Sequence, residues 1–235
     1  MTEPGDAAVF RLGYVPGVTP GKWARMWAER RPHVPLELIT ATTDEALKLV
    51  RTEAVDAALV RLPIDRTGLH TIPLYTETTV AVVPKHHVVT ATEEATVADL
   101  SDEIVLRPQD DTLAWPGDRP GRAAAFAPAT TAEAIELVAA GVGLLVVPQS
   151  LARLHHRRDL TYRPLADAPG SGVGLVWPDS ENTELMEEFI GIVRGRTVNS
   201  SRTPRRDGPP APTTPALTKK SAARRPPARR GTRRR

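Results

Sequence analysis

TTDEALKLV at residues 42–50, running into AVDAALVRLP at 54–63, is the stretch on which the reading of the fold turns. Thr42 stands where a helix needs an N-cap, and Glu45 three residues on completes a capping box. The second segment is a run of small and branched apolar residues, which reads as a buried strand, yet it ends on Arg61 against a Leu-Pro step. The pattern returns at TTAEAIELV (130–138), again followed by a short connection, a buried strand and a proline, AAGVGLLVVP. Both copies contain Thr-Thr-x-Glu-Ala-[Leu/Ile]-x-Leu-Val. The echo predicts two lobes of related build, although a shared helix-capping solution would also produce it. It also predicts two helix amino termini with exposed N–H groups, which attract anions.

The same alternation extends in both directions. Residues 9–15 form a strand candidate; Pro20 is well placed near a helix start, and Trp23, Met26 and Trp27 follow at i, i+3 and i+4 as a core-facing stripe. PLELIT (35–40), TVAVVP (79–84), EIVLRP (103–108), GLLVVP (143–148) and VGLVWP (173–178) read as further strands, with a closing amphipathic helix near 185–193. Gly141 is placed as a helix C-cap. Strands alternating with helices give an α/β fold with largely parallel sheets.

Charge divides the chain. Residues 202–235 carry twelve Lys and Arg against the single Asp207; of the 31 basic and 28 acidic side chains, the other 201 residues keep 19 and 27, a net −8. The tail lacks apolar periodicity and is rich in Pro, Ala and Arg, so it reads as disordered. Its arginines, among them Arg224, Arg225, Arg229, Arg230, Arg233, Arg234 and Arg235, suit sequence-independent contact with nucleic-acid phosphates; a solubilising tail that folds back on the acidic body is the alternative. No long apolar run spans a membrane and MTEPGDAAVF has no signal-peptide pattern, so the expectation is a cytoplasmic protein. Zero cysteines exclude disulfides, thiol catalysis and cysteine metal sites.

Six segments in order carry a family resemblance: FRLGYVPG; the helix leading to RRPHVPLEL; EALKLVRTEAVDAALVRLP; LHTIPLYTETTVAVVPKHH; ATVADLSDEIVL; and AIELVAAGVGLLVVPQSLARL. From residue 10 to about 196 the sequence resembles the effector-binding domain of LysR-type transcriptional regulators, which has the two-lobed type 2 periplasmic-binding-protein fold. The resemblance implies a domain over 9–196, with lobe I about 9–83 and 172–196 and lobe II about 84–165. It also implies a small-molecule effector in the cleft between the lobes and a homodimer as the expected pairing. Three departures stand out. The family's amino-terminal winged helix-turn-helix has no counterpart here, since Met1 lies only a few residues ahead of the first strand. The segment QDDTLAWPGDRPGRAAAFAPA is Gly- and Pro-rich where the family has a longer helical stretch, and the basic tail lies outside the family's plan.

Open α/β sheets bind ligands beyond the carboxyl ends of their strands. Four segments are expected to converge there: Pro16, Gly17, Val18 and Thr19 after the first strand; Thr42 and Thr43 at the second helix; Arg61 and Leu62 ending the third strand; Thr130 and Thr131 opening the helix of the other lobe. They supply hydroxyls, helix dipoles and one fork-shaped cation suited to a carboxylate. The plainer readings are that Thr42 and Thr130 only cap, that Pro16-Gly17 is only a turn, and that Arg61 is solvated or pairs with Asp65.

Catalysis finds no support. His86-His87 and His155-His156 are adjacent pairs that point apart and make poor metal sites. No GxSxG, P-loop or HExxH pattern occurs, and nothing near Asp110-Asp111 activates that pair as acid and base. The sequence expectation is therefore a non-enzymatic, cofactor-free and metal-free sensor of a small, anionic metabolite. Its output would pass through a full-length regulator as heterodimer partner, or through the tail as a sequence-blind tether. A nucleoid-associated module acting through the tail and a solute receptor of the same fold are the alternatives. A groove plugged by Trp115 or Phe126 would speak against ligand binding.

Overall fold

In the computed structural model, which describes residues 8–196, the two echoed segments hold equivalent places in two five-stranded sheets. The first sheet has the order β2 (Leu36–Thr40), β1 (Phe10–Tyr14), β3 (Ala57–Leu62), β10 (Ser171–Pro178), β4 (Leu69–Glu77). The second has β7 (Arg122–Ala123), β6 (Ile104–Leu106), β8 (Leu144–Pro148), β5 (Thr79–Pro84), β9 (Leu160–Pro164). β3 and β8, the strands of the two echoes, each lie third, with a parallel neighbour on one side (β1, β6) and an antiparallel one on the other (β10, β5).

The helices that feed these strands match as well. Helix α1 (Gly21–Arg30) precedes β2, α2 (Thr43–Arg51) precedes β3 and α3 (Thr131–Ala139) precedes β8. Thr42 caps α2 in a full capping box. Thr130 accepts from the Glu133 N–H at 3.1 Å, but the Glu133 carboxylate reaches one residue further back, to the Ala129 N–H at 2.7 Å. Past the end of α3, Gly141 (φ 75°) donates to Val138 O and Val142 donates to Leu137 O, the paired bonds of a Schellman motif. Helix α2 ends in the same way, with Glu53 (φ 55°) in the left-handed position.

The expectation of largely parallel sheets needs correction, since four strand pairings are parallel and four antiparallel. Parallel neighbours need a long crossover connection. β5 and β10, the strands by which the chain passes between the sheets, insert beside β8 and β3 and run against them. With β5 paired between β8 and β9, the first sheet's continuous part ends at Glu77, ahead of the residue-83 limit read from sequence. The sequence reading also passed over β4 and β9. Both are edge strands with one paired side, and β4 contains Pro73, which only an edge tolerates.

The first lobe's core is built on the stripe of α1. Trp27 is buried against Phe10 and against Phe189 of α5 (Glu184–Val193), with ring centroids 4.7 and 5.9 Å away, and donates its indole N–H to Val34 O at 2.8 Å. Trp23 and Met26 pack at its margin. The second lobe has a separate apolar cluster on each side of its sheet, one containing Ile135, Leu145 and Leu151, the other Val83, Leu100 and Leu144. Between β6 and β7 the Gly- and Pro-rich segment forms no helix. No helix among the described residues is long and apolar enough to cross a membrane.

Candidate functional site

Beyond the carboxyl ends of β1 and β3 the two lobes enclose a cleft of about 1110 Å³. All ten residues chosen from sequence line it: Pro16, Gly17, Val18, Thr19, Thr42, Thr43, Arg61, Leu62, Thr130 and Thr131. The fold brings them together for a simple reason. Each follows or ends a strand at the same sheet edge, or opens the helix that the next connection requires. Trp115 packs against the second lobe's cluster that contains Val83, Leu100 and Leu144, Phe126 is exposed, and neither is among the lining residues.

The question raised by the end of β3 is answered by burial. Arg61 is 4% exposed and is neither solvated nor paired with Asp65, which faces Arg51 instead. Its Nη1 donates to Ser171 Oγ at 2.9 Å and Glu77 Oε2 at 3.3 Å; its Nη2 donates to Ser150 Oγ at 3.0 Å and Pro16 O at 3.3 Å. Ser150 in turn donates to Glu77 Oε2 at 2.6 Å. A buried guanidinium requires such compensation, because an unpaired charge of that kind is strongly destabilising. Ser150 belongs to α4 (Gln149–Leu154), which follows β8 in the second lobe, so the network joins both lobes at the base of the cleft. Gly17 (φ 86°) is required here: a Cβ would stand 2.5 Å from Ser150 Oγ and 3.0 Å from Arg61 Nη2. The free cationic fork expected from sequence is therefore corrected to a guanidinium already held by the chain's own groups.

The helix termini likewise carry carboxylates of the chain itself. The Thr131 N–H and hydroxyl donate to Asp110 Oδ2 and Oδ1 at 3.0 and 2.9 Å, so a carboxylate from the β6–β7 connection sits on the amino terminus of α3. At α2, the Thr42 N–H and hydroxyl both donate to Glu45 Oε2 at 2.9 Å, which holds the Glu45 carboxyl below its ordinary value. The neighbouring Asp111 lies in the same wall. Burial pushes its carboxyl up, against the opposing effects of the Leu113 N–H and of Arg119 at 2.9 Å.

Sequence reading missed Glu77, Ser150 and Ser171, and it considered Asp110 only as a catalytic acid or base. No local signal marks them, since the contacts that define their roles span 16 to 110 residues. Among the described residues no group of three or more His, Asp or Glu could hold a metal ion. His87 pairs with Glu103 at 3.3 Å, and His155 lines the cleft. The tail, with Arg224, Arg225, Arg229, Arg230, Arg233, Arg234 and Arg235, lies outside the described residues.

Residues 5–197 match the family model of the LysR substrate binding domain. The chain belongs to that family. Among LysR relatives, a protein of Mycobacterium avium named as a probable hydrogen peroxide-inducible genes activator is 29% identical over 213 residues, 85% of this chain and 68% of its own length. The regulator AlsR of Bacillus subtilis is 27% identical over 206 residues, 81% of this chain and 67% of its own. The chain thus spans about two thirds of the length of the relatives it matches. Two solved LysR domains share the fold. The BenM effector binding domain with its effector benzoate has a TM-score of 0.69 at 20% identity, covering 80% of this chain and 91% of that one. The oxidized form of OxyR has a TM-score of 0.67 at 22% identity, covering 81% and 96%. LysR relatives regulate transcription, and this chain has the build of their effector-binding domain.

Proposed function

We propose that the chain is a cytoplasmic, non-enzymatic sensor in transcriptional regulation, which binds a small metabolite between its lobes and passes the resulting lobe arrangement to a partner. The observation that carries this reading is the convergence of ten residues, chosen by their place at strand ends and helix starts, on one open cleft. Ligand binding shifts the lobes only if one arrangement binds better than the other. The Arg61–Glu77–Ser150 network, which bridges the lobes at the cleft floor, is where such a preference would be felt.

Bound ligand, rather than oxidation, is the favoured signal. Four relatives carry names tied to hydrogen peroxide, but redox-sensor chemistry of that kind runs through cysteine thiolates, and these 235 residues contain none. The partner is a second copy of this chain or a full-length regulator of the same family. The basic segment 202–235 supports a further, sequence-independent contact with nucleic acid.

The test is a thermal-shift screen of the full chain against small metabolites, with Ala132→Trp as control. Ala132 is exposed at the start of α3 and lines the cleft, so an indole there fills it from the surface. A ligand at about a hundred times its Kd stabilises by roughly 2.7 kcal/mol, or about 5–11 °C for a domain of this size. At least one compound is expected to raise the wild-type Tm and leave the variant unmoved. A panel in which no compound separates the two proteins would overturn the reading.

A further inference from the structure

The cleft has three features that draw anions in a protein of this build: a buried guanidinium and two helix amino termini. Each already has a carboxylate of the chain itself beside it, Glu77 on Arg61, Asp110 on the Thr131 N–H of α3 and Glu45 on the N-cap Thr42 of α2. Asp44 adds another carboxylate in the first turn of α2 and lines the cleft. Among the described residues, neither Asp44 nor Asp110 forms a salt bridge, whereas Asp111 is paired with Arg119. On the cationic side, Arg61 is buried and committed, and Arg153 lies exposed at the rim with its Nε–H donated to Tyr162 Oη at 3.2 Å. His155 is half-buried beside it.

We infer that the cleft takes a ligand bearing N–H donors and no net negative charge, an amine or a carboxamide, and discriminates against carboxylates; this rests on the reading of the cleft as the ligand site. Asp110 is the recognition group. Both its oxygens accept from Thr131, yet the side chain is exposed to the cleft, and each carboxylate oxygen has a second lone pair to offer. A carboxylate approaching the start of α3 meets a like charge where the helix would otherwise have supplied free N–H groups. The anionic ligand expected from the sequence followed from treating Arg61 and the two threonine pairs as vacant; their contacts support the opposite inference.

The experiment uses the full chain and fragment sets in matched triplets, one carbon skeleton carrying a carboxylate, a carboxamide or an aminomethyl group, with benzoate, benzamide and benzylamine as the first. Binding is read by ligand-observed NMR. Cleft binders are those whose signal is lost on Ala132→Trp. The expected result is that cleft binders are amines and carboxamides and that Asp110→Ala weakens them at least tenfold. By exposing the Thr131 N–H and hydroxyl, Asp110→Ala should also strengthen the matched carboxylates. Asp110→Asn, which keeps the side-chain volume, should weaken amines without the same gain for carboxylates. Carboxylates that bind the wild-type cleft as tightly as their matched amines would overturn the charge assignment and leave the sensor standing. Triplets that bind wild type and Ala132→Trp alike in all three classes would overturn the cleft itself as the site, and the assignment with it.

Discussion

Replacing Arg61 by Met tests the account of the cleft floor most directly. The side chain keeps similar length and apolar bulk, but the charge and four hydrogen bonds disappear. Glu77, with a side chain 10% exposed, is left with only the Ser150 hydroxyl donating to it. Removing one partner of a buried ion pair costs about 3–5 kcal/mol, because the remaining charge stays desolvated. Set against a net stability of roughly 5–15 kcal/mol, that loss should lower the Tm by roughly 6–20 °C. Urea unfolding of the full chain should place the wild-type midpoint well above that of Arg61→Met. The double variant Arg61→Met, Glu77→Gln should recover part of the difference, giving a coupling of about 1–3 kcal/mol. The loss should persist as salt is raised, since screening acts weakly on buried pairs. A single variant within about 0.5 kcal/mol of wild type, the range for surface changes remote from any special contact, would refute the reasoning. It would return Arg61 to the role of a free ligand contact.

Two further outcomes follow from the charge distribution. Burial raises the Asp111 carboxyl above its ordinary 3.8, so between that value and its folded value the native state holds more protons than the unfolded chain, and this group's contribution to stability falls as pH rises. Asp111→Asn removes that contribution, so urea midpoints compared between pH 3 and pH 7 should move in the variant's favour as pH increases; movement the other way would contradict the buried, net-unfavourable charge. Deleting 202–235 removes twelve basic residues and one acid. If the tail contacts nucleic acid, DNA binding should vanish with it and fall steeply with salt in the intact chain, whereas retention by the truncated protein would assign the binding to the folded body.

How legible the fold was in the sequence depended on how local the signal was. The capped helices, the strands that follow them, the Trp23–Met26–Trp27 stripe and the Gly141 cap were readable because each rests on a period or a spacing within about ten residues. β4 and β9 escaped because their residues are mostly half-buried or exposed and give no clean two-residue alternation, and β4 is further interrupted by Pro73, which an edge strand tolerates. The order of the sheets was also out of reach. The insertion of β5 and β10 beside strands distant in sequence made both sheets mixed, and no local pattern records it.

The same division holds at the cleft. The sequence by itself determined which residues stand at strand ends and helix starts, because caps, breakers and apolar runs are local chemistry, and those residues do meet in one hollow. Only the tertiary structure decided which of their donors are already paired when a ligand arrives. Burial made partners obligatory for Arg61, and they came from Glu77, Ser150 and Ser171, while Asp110 reached Thr131 across 21 residues. A buried charge must be compensated by whatever the fold brings within about 3 Å, and for Arg61 the chain-distant Ser150 and Ser171 are part of that answer.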